Sequence, residues 1–123
     1  MKKAPHISEA EWEVMKVIWK RRSCSAQHVI DDLAATTTWS ATTIKTLLNR
    51  LLRKGALRFE KNGKAYLYFP ACTEEQCRSR EAESFLDRVF DGALSPMLAH
   101  FVRSRQLSKK DLHDLERILK EKK

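Results

Sequence analysis

The sequence predicts a mainly α chain of the α+β class: a winged helix-turn-helix domain over residues 1–71, then a three-helix dimerisation domain over residues 72–123. Three observations predict it. The stretch SATTIKTLLNRLLRKGALRFEKNG, from Ser40 to Gly63, reads as an amphipathic helix, a short connection and a strand running into a tight turn. Two shorter helical segments and an extended piece precede it, which gives the order α-β-α-α-β-β of a winged helix. After Pro70 come three further amphipathic segments with almost no charge bias.

In chain order, Ser8-Glu9-Ala10-Glu11 has the spacing of a capping box, a serine at the cap and a glutamate three residues on. It predicts a first helix from about Glu9 to Lys20, with Trp12, Met15, Ile18 and Trp19 supplying most of its buried side. Arg21, Arg22 and Ser23 break the pattern, and Cys24 belongs to a short extended piece. Ser25 caps a second helix through Ala26, Val29, Ile30 and Leu33, and Ala34 to Trp39 form a Thr-rich turn. Ser40 opens the third helix, because its hydroxyl can accept a free N–H of the first turn. Ile44, Leu47, Leu48, Leu51 and Leu52 make one apolar stripe. At about 100° per residue the opposite face carries Thr42, Thr46, Asn49 and Arg53, flanked by Lys45 and Arg50. Gly55 stops the helix. Leu57, Phe59 and Lys61 then alternate, Asn62-Gly63 predicts the hairpin turn, and the return strand runs from Ala65 to Phe69.

Thr73 caps a fourth helix to about Phe90, with Glu74 and Glu75 at its positive end. Ala82, Phe85, Leu86, Val89 and Phe90 form its apolar face. Asp91-Gly92 is a break. Ser95-Pro96 opens a fifth helix, the proline standing where its missing N–H leaves no bond unmade, with Met97, Leu98, Phe101 and Val102 as its apolar residues. Ser108 and Asp111 start a sixth, which carries Leu112, Leu115, Ile118 and Leu119. Three amphipathic helices hold more apolar surface than about 50 residues can hide alone. Phe85, Leu86, Val89, Phe90, Leu98, Phe101, Leu112, Leu115 and Leu119 are therefore expected to join two copies in a homodimer. The alternative is that these helices fold back on the winged helix of the same subunit. A helix-turn-helix protein that reads a two-fold DNA site needs two copies, which favours the dimer.

Charge points to the partner. The chain has a net charge of +8, and residues 1–70 hold 13 Lys and Arg against 6 Asp and Glu, whereas residues 71–123 hold 11 against 10. From Lys45 to Lys64 there are seven bases and one acid. A basic excess confined to one module implies a polyanion, and double-stranded DNA is the simplest. Three cysteines make no even disulfide framework, and no secretory signal or apolar run of about 18 residues is present. The expectation is a cytoplasmic chain with free thiols and no membrane insertion.

The candidate groove residues are Thr42, Thr43, Lys45, Thr46 and Arg50, with Asn49 on the same face. Thr can meet a thymine methyl or a base edge, and Lys can donate to guanine acceptors. Arg50, Arg53 and Lys54 suit phosphates, which position the protein without specifying sequence. Lys61 and Lys64 flank the hairpin tip and could reach a phosphate. For Thr43 the competing role is packing at the helix start, and for the two lysines a solvated tip. Cys24, His28 and Asp31 lie close together and invite a catalytic or metal reading, but a nucleophile needs a pocket and an oxyanion hole that nothing here suggests. No enzyme, cofactor or resident metal is expected. Cys72 and Cys77 do not make a four-thiolate site alone, although His113 could join them across a dimer. A metal-responsive repressor of the same fold and a winged-helix protein–protein adaptor remain the alternatives.

These residues also resemble a known family. ISEAEWEVMKVIWK, TWSATTIKTLLNRLLRKGAL, EKNGKAYLYFP and SFLDRVFDGALSPML are similar to the BlaI/MecI family of penicillinase and methicillin-resistance repressors, and the likeness runs from end to end. The resemblance implies a homodimer on palindromic operators before β-lactamase and sensor genes. It also implies relief of repression by proteolysis in the C-terminal domain, after a membrane sensor-protease is acylated by a β-lactam. The cut bond in the best-known relatives joins Asn to Phe, and the corresponding pair here is His100-Phe101, where the Phe matches and the Asn does not. A copper-responsive branch carries paired Cys-x-Cys motifs near its C-terminus, and this chain has no cysteine after Cys77.

Overall fold

Helix starts follow the local capping chemistry. The computed structural model of the protein describes residues 4–104 and 107–121. Helix α1 (Glu9–Arg21) begins at Ser8, whose hydroxyl accepts from the Glu11 N–H at 3.2 Å while the Glu11 carboxylate accepts from the Ser8 N–H at 2.9 Å. Helix α2 (Ala26–Ala34) begins at Ser25 in the same way, with His28 Nδ1 accepting from the Ser25 N–H at 3.2 Å. Ser40 accepts from the Thr43 N–H at 3.1 Å to start α3 (Ala41–Lys54). Thr73 and Gln76 form the reciprocal pair at the start of α4 (Glu74–Phe90), and Ser108 and Asp111 do so for α6 (Lys109–Glu121). Helix α5 (Leu94–Arg103) departs from expectation: it begins after Ala93, which has no side chain to cap it, and Pro96 is its third residue. The proline still lies in the first turn, where no intrahelical N–H bond is lost.

Strands β1 (Leu57–Asn62) and β2 (Ala65–Pro70) pair antiparallel, with Asn62 opposite Ala65. The two-residue loop is therefore Gly63-Lys64, one position beyond the expected Asn62-Gly63 turn. Gly63 has φ +67° and Lys64 has no positive φ, the sign pattern of a type II′ turn with glycine first. The shift places Lys64 at the apex and Lys61 in the strand opposite Tyr66. Cys24 supplies the short extended piece, exchanging two backbone hydrogen bonds with Tyr68 at 3.2 and 2.7 Å.

The core gathers Ile7, Val14, Met15, Ile18, Val29, Leu33, Ile44, Leu47, Leu48, Leu51, Ala56 and Leu57, together with Cys24, Cys72 and Cys77. The stripe of α3 is buried as its spacing predicts, with Leu52 half-buried at its rim. Helix α1 is turned relative to expectation. Val14, Val17 and the carboxylate of Glu11 join Met15 and Ile18 inside, and the two tryptophans sit half-buried at the margin. An indole is too large to vanish into so small a core. Trp12 and Trp19 instead meet edge to face at 5.3 Å, and Trp19 Nε1 donates to the Cys72 carbonyl at 3.0 Å.

The chain divides into two compact units, one running to Ala82 and the other starting at Glu83. The division lies beyond the expected boundary at residue 71, because the first turns of α4 belong to the N-terminal unit. Cys77 is buried in that core, and Glu81 accepts from the Ile7 N–H at 3.1 Å with His6 Nδ1 3.0 Å away. In the second unit α5 and α6 bury no residue, and Phe85, Val89, Leu98, Leu112, Ile118 and Leu119 are exposed, Leu119 to 66%. Leu86, Phe90, Phe101 and Leu115 are half-buried, the Phe90 ring lying 5.9 Å from Phe85 and 6.0 Å from His100.

Candidate nucleic-acid interface

One face of α3 is held on the core by Ile44, Leu47, Leu48 and Leu51, so the other must face outward. Thr42, Thr43, Lys45, Thr46, Asn49, Arg50 and Arg53 are all exposed on it. Gly55 ends the helix with φ +80°, and the following Ala56 N–H returns to the Leu51 carbonyl at 3.0 Å. This left-handed cap turns the chain at once into β1, so the hairpin follows the helix after a two-residue connection.

The threonines are not equivalent. Thr46 Oγ1 donates to the Thr42 carbonyl at 3.0 Å, which ties the hydroxyl to the helix and fixes the side chain. Thr43 Oγ1 lies 3.1 Å from Ser40 Oγ, and its N–H is the one that the cap satisfies. Thr43 thus shares in the helix start while staying exposed.

Lys54 corrects the sequence reading. Its Nζ donates to the carboxylate of Glu11 and, at 3.0 Å, to the His6 carbonyl. Glu11 is 1% exposed. Burial opposes its ionisation, but the hydrogen bonds from Lys54 and from the Ser8 backbone and hydroxyl outweigh it and hold the carboxyl below its ordinary value. Lys54 is therefore spent on a carboxylate inside the fold rather than offered to a phosphate. The signal in the sequence was Glu11 itself, an acid on the apolar side of α1 that has to find a cation.

The remaining cations are unspent. Among the described residues no carboxylate lies within ion-pair distance of Lys45, Arg50, Arg53, Lys61 or Lys64. Elsewhere pairing is common: Lys16 with Glu13 at 2.9 Å, Arg21 with Asp32 at 2.8 Å, Arg78 with Glu74 at 3.0 Å. Arg58 is a further hairpin cation, stacked 5.4 Å from the ring of its cross-strand partner Phe69. Its stacking on Phe69 was legible only once the register was known.

The catalytic constellation does not assemble. Cys24 is buried in its backbone bridge, and burial pushes its thiol up from the ordinary value. His28 Nδ1 is used in the α2 cap, and Asp31 accepts from Gln27 Nε2 at 2.8 Å. Cys72 and Cys77 are close together, whereas His113 is an exposed residue of α6. Among the described residues no group of three or more His, Cys, Asp and Glu could hold a metal ion.

A helix-turn-helix packed on a basic hairpin, with its third helix presenting hydroxyl, amide and cationic side chains and no acid, defines the winged-helix class of DNA-binding proteins. The chain belongs to the penicillinase repressor family, whose profile matches residues 7–121. It is 45% identical over 123 residues to the penicillinase repressor of Bacillus licheniformis, covering 100% of this chain and 96% of that one. It is 32% identical over 120 residues to the methicillin resistance regulatory protein MecI of Staphylococcus aureus, covering 98% of each. The solution structure of the Bacillus licheniformis BlaI monomeric form in complex with the blaP half-operator superposes with a TM-score of 0.55 at 51% identity, over 62% of this chain and 93% of that one.

Proposed function

We propose that this chain is a cytoplasmic transcriptional repressor that binds a palindromic operator as a homodimer and controls β-lactamase or related antibiotic-resistance genes. Helix α3 enters the major groove. Thr42, Lys45, Thr46 and Asn49 face base edges, with Thr43 at the helix start, and Arg50 and Arg53 meet phosphates beside the groove. Lys61 and Lys64 bring the hairpin to the neighbouring backbone. The observation that carries this reading is the run of exposed cations along α3 and the hairpin that have no carboxylate partner among the described residues. Cations left unpaired in this way can exchange their counterions for phosphates, with no internal ion pair to break. The protein acts by binding, without catalysis. No helix among the described residues is long and apolar enough to cross a membrane.

The exposed apolar residues of α4, α5 and α6 support a second copy as the partner of the C-terminal unit, since Phe85, Val89, Leu98, Leu112 and Leu119 stay 37–66% exposed among the described residues. Release of repression follows from cleavage at or near His100-Phe101 by a membrane sensor-protease. Both residues lie inside α5, so the bond must open locally before it is cut.

The test is selection of bound duplexes from a random pool by the full-length protein, followed by affinity measurement on the enriched sequence. An inverted repeat is expected. A chain ending at Ala82 should stay folded, run as a monomer and lose most of the affinity for the full repeat, because each half-site is then bound singly. Failure to enrich any sequence would favour an adaptor role, and a dimer from the shortened chain would place the dimer contact elsewhere.

A further inference from the structure

Two of the three cysteines meet in the N-terminal unit. Cys72 Sγ and Cys77 Sγ are 2.8 Å apart, with Cys77 1% exposed and Cys72 9%. Their places around α4 explain the contact. Thr73 is the N-cap, so Cys72 immediately precedes the cap and Cys77 is the fourth residue of the helix. These are the two positions of a hydrophobic staple, where apolar side chains usually meet to fix the entry of the chain into a helix. Here both positions carry a thiol. The flanking backbone is held on both sides: the Cys72 carbonyl accepts from Trp19 Nε1 at 3.0 Å, and the Ala71 N–H donates to the Ala56 carbonyl at 2.8 Å.

The spacing discriminates between the ligands that a thiol pair could take. Two thiolates on a tetrahedral zinc, each about 2.3 Å from the metal, lie about 3.8 Å apart. This pair is already closer than that, and it needs less than about 1 Å of further approach to reach a disulfide bond. We propose that Cys72 and Cys77 are a redox-modification site, at which a hydroperoxide converts the thiol staple into a disulfide that locks the start of α4 to the end of the hairpin.

The steps balance. Cys72, the more exposed, releases its proton to solvent, and its sulfur attacks one peroxide oxygen. The O–O bond breaks, water or an alcohol leaves, and Cys72 carries a sulfenic acid. Cys77 sulfur then attacks Cys72 sulfur, the S–O bond breaks, and the leaving hydroxide departs as water with the Cys77 proton. The two thiols lose two electrons, and the hydroperoxide gains them. The order is set by the environment: burial, with the Cys72 hydrogen bond and charge, pushes the Cys77 thiol up to about 12, so Cys77 does not begin the attack. Cys24 is an internal control, as buried as Cys77 and without a second thiol beside it among the described residues.

The experiment treats fully reduced full-length protein with hydrogen peroxide, alkylates the remaining thiols and digests with trypsin. Cys72 and Cys77 fall in one peptide, Ala65–Arg78, since no Lys or Arg separates them. That peptide should appear unalkylated and lighter by two hydrogens, revert with dithiothreitol, and form about tenfold faster than any oxidation product of Cys24. Amide exchange at Cys77–Arg80 should slow about tenfold in the oxidised protein. In Cys77→Ala, peroxide should give sulfenic and then sulfinic acid on Cys72 and no lighter peptide. Because the main readout uses the natural sequence, an unfolded variant does not affect it. Persistent alkylation of both thiols, sulfinic acid as the first product in the natural protein, chains linked to one another, or Cys24 oxidised as fast as the pair would each overturn the proposal.

Discussion

Replacing Lys54 by Met separates a structural cation from a DNA-binding one. The substitution leaves the Glu11 carboxylate 1% exposed with, among the described residues, the Ser8 N–H and hydroxyl against it. Removing one partner of a buried pair costs about 3–5 kcal/mol. The Lys54 side chain is 33% exposed, so water screens part of its charge, and the expected loss is about 2–3 kcal/mol. For a unit of this size that lowers the melting temperature by about 10 °C or more. The pH dependence has a definite sign. In the natural protein the Glu11 carboxyl is held below its ordinary value, so its contribution is fully present above that value and is lost as pH falls through the lower folded one. Without Lys54, burial raises the carboxyl again. The deficit of the variant is therefore largest near neutral pH and narrows as pH drops into the carboxylate range. Urea denaturation followed by circular dichroism at neutral and acid pH measures both effects, and Glu11→Gln combined with Lys54→Met should cost less than the sum of the two. The same variant should leave the slope of log affinity against log salt unchanged. A flattened salt slope with unchanged stability would refute the structural role and return Lys54 to the DNA surface.

Arg53→Ala should weaken all duplexes about equally and reduce the salt slope by about 0.9, read by fluorescence anisotropy over a salt series. Lys45→Ala or Thr46→Ala should instead erode discrimination between the selected repeat and a mutated one, by about 1–3 kcal/mol for a lost base contact. Gly55→Ala meets no atom within 4 Å but keeps φ +80°, so it should cost about 1 kcal/mol through backbone strain alone, measured by urea denaturation. In cells treated with a β-lactam, fragments ending at His100 should accumulate as the target gene is induced, read by intact mass. Full-length protein persisting through induction would instead point to control of the intact dimer.

Apart from that of α5, helix starts were legible in the sequence because capping is local: Ser8 with Glu11 and Ser108 with Asp111 act across three residues, and Thr73 stands at the cap of α4. The stripe of α3, its acid-free outer face and the basic excess of the first 70 residues were legible for the same reason, since spacing and charge are properties of the chain itself. The family likeness was legible too. Other features depended on which distant groups met. Lys54 and Glu11 are 43 positions apart, and no pattern chooses Lys54 over Arg53 until α1 and α3 are packed together. The hairpin slipped by one residue from its expected turn because strand pairing, with Tyr68 also held by Cys24, sets the register. Cys77 drew the first turns of α4 into the N-terminal core, and the two tryptophans of α1 yielded the interior to Val14 and Val17. In each case the alternatives were nearly equal within the local chain. Only long-range packing separated them, because burying one side chain decides what space and which hydrogen-bond partners remain for the next.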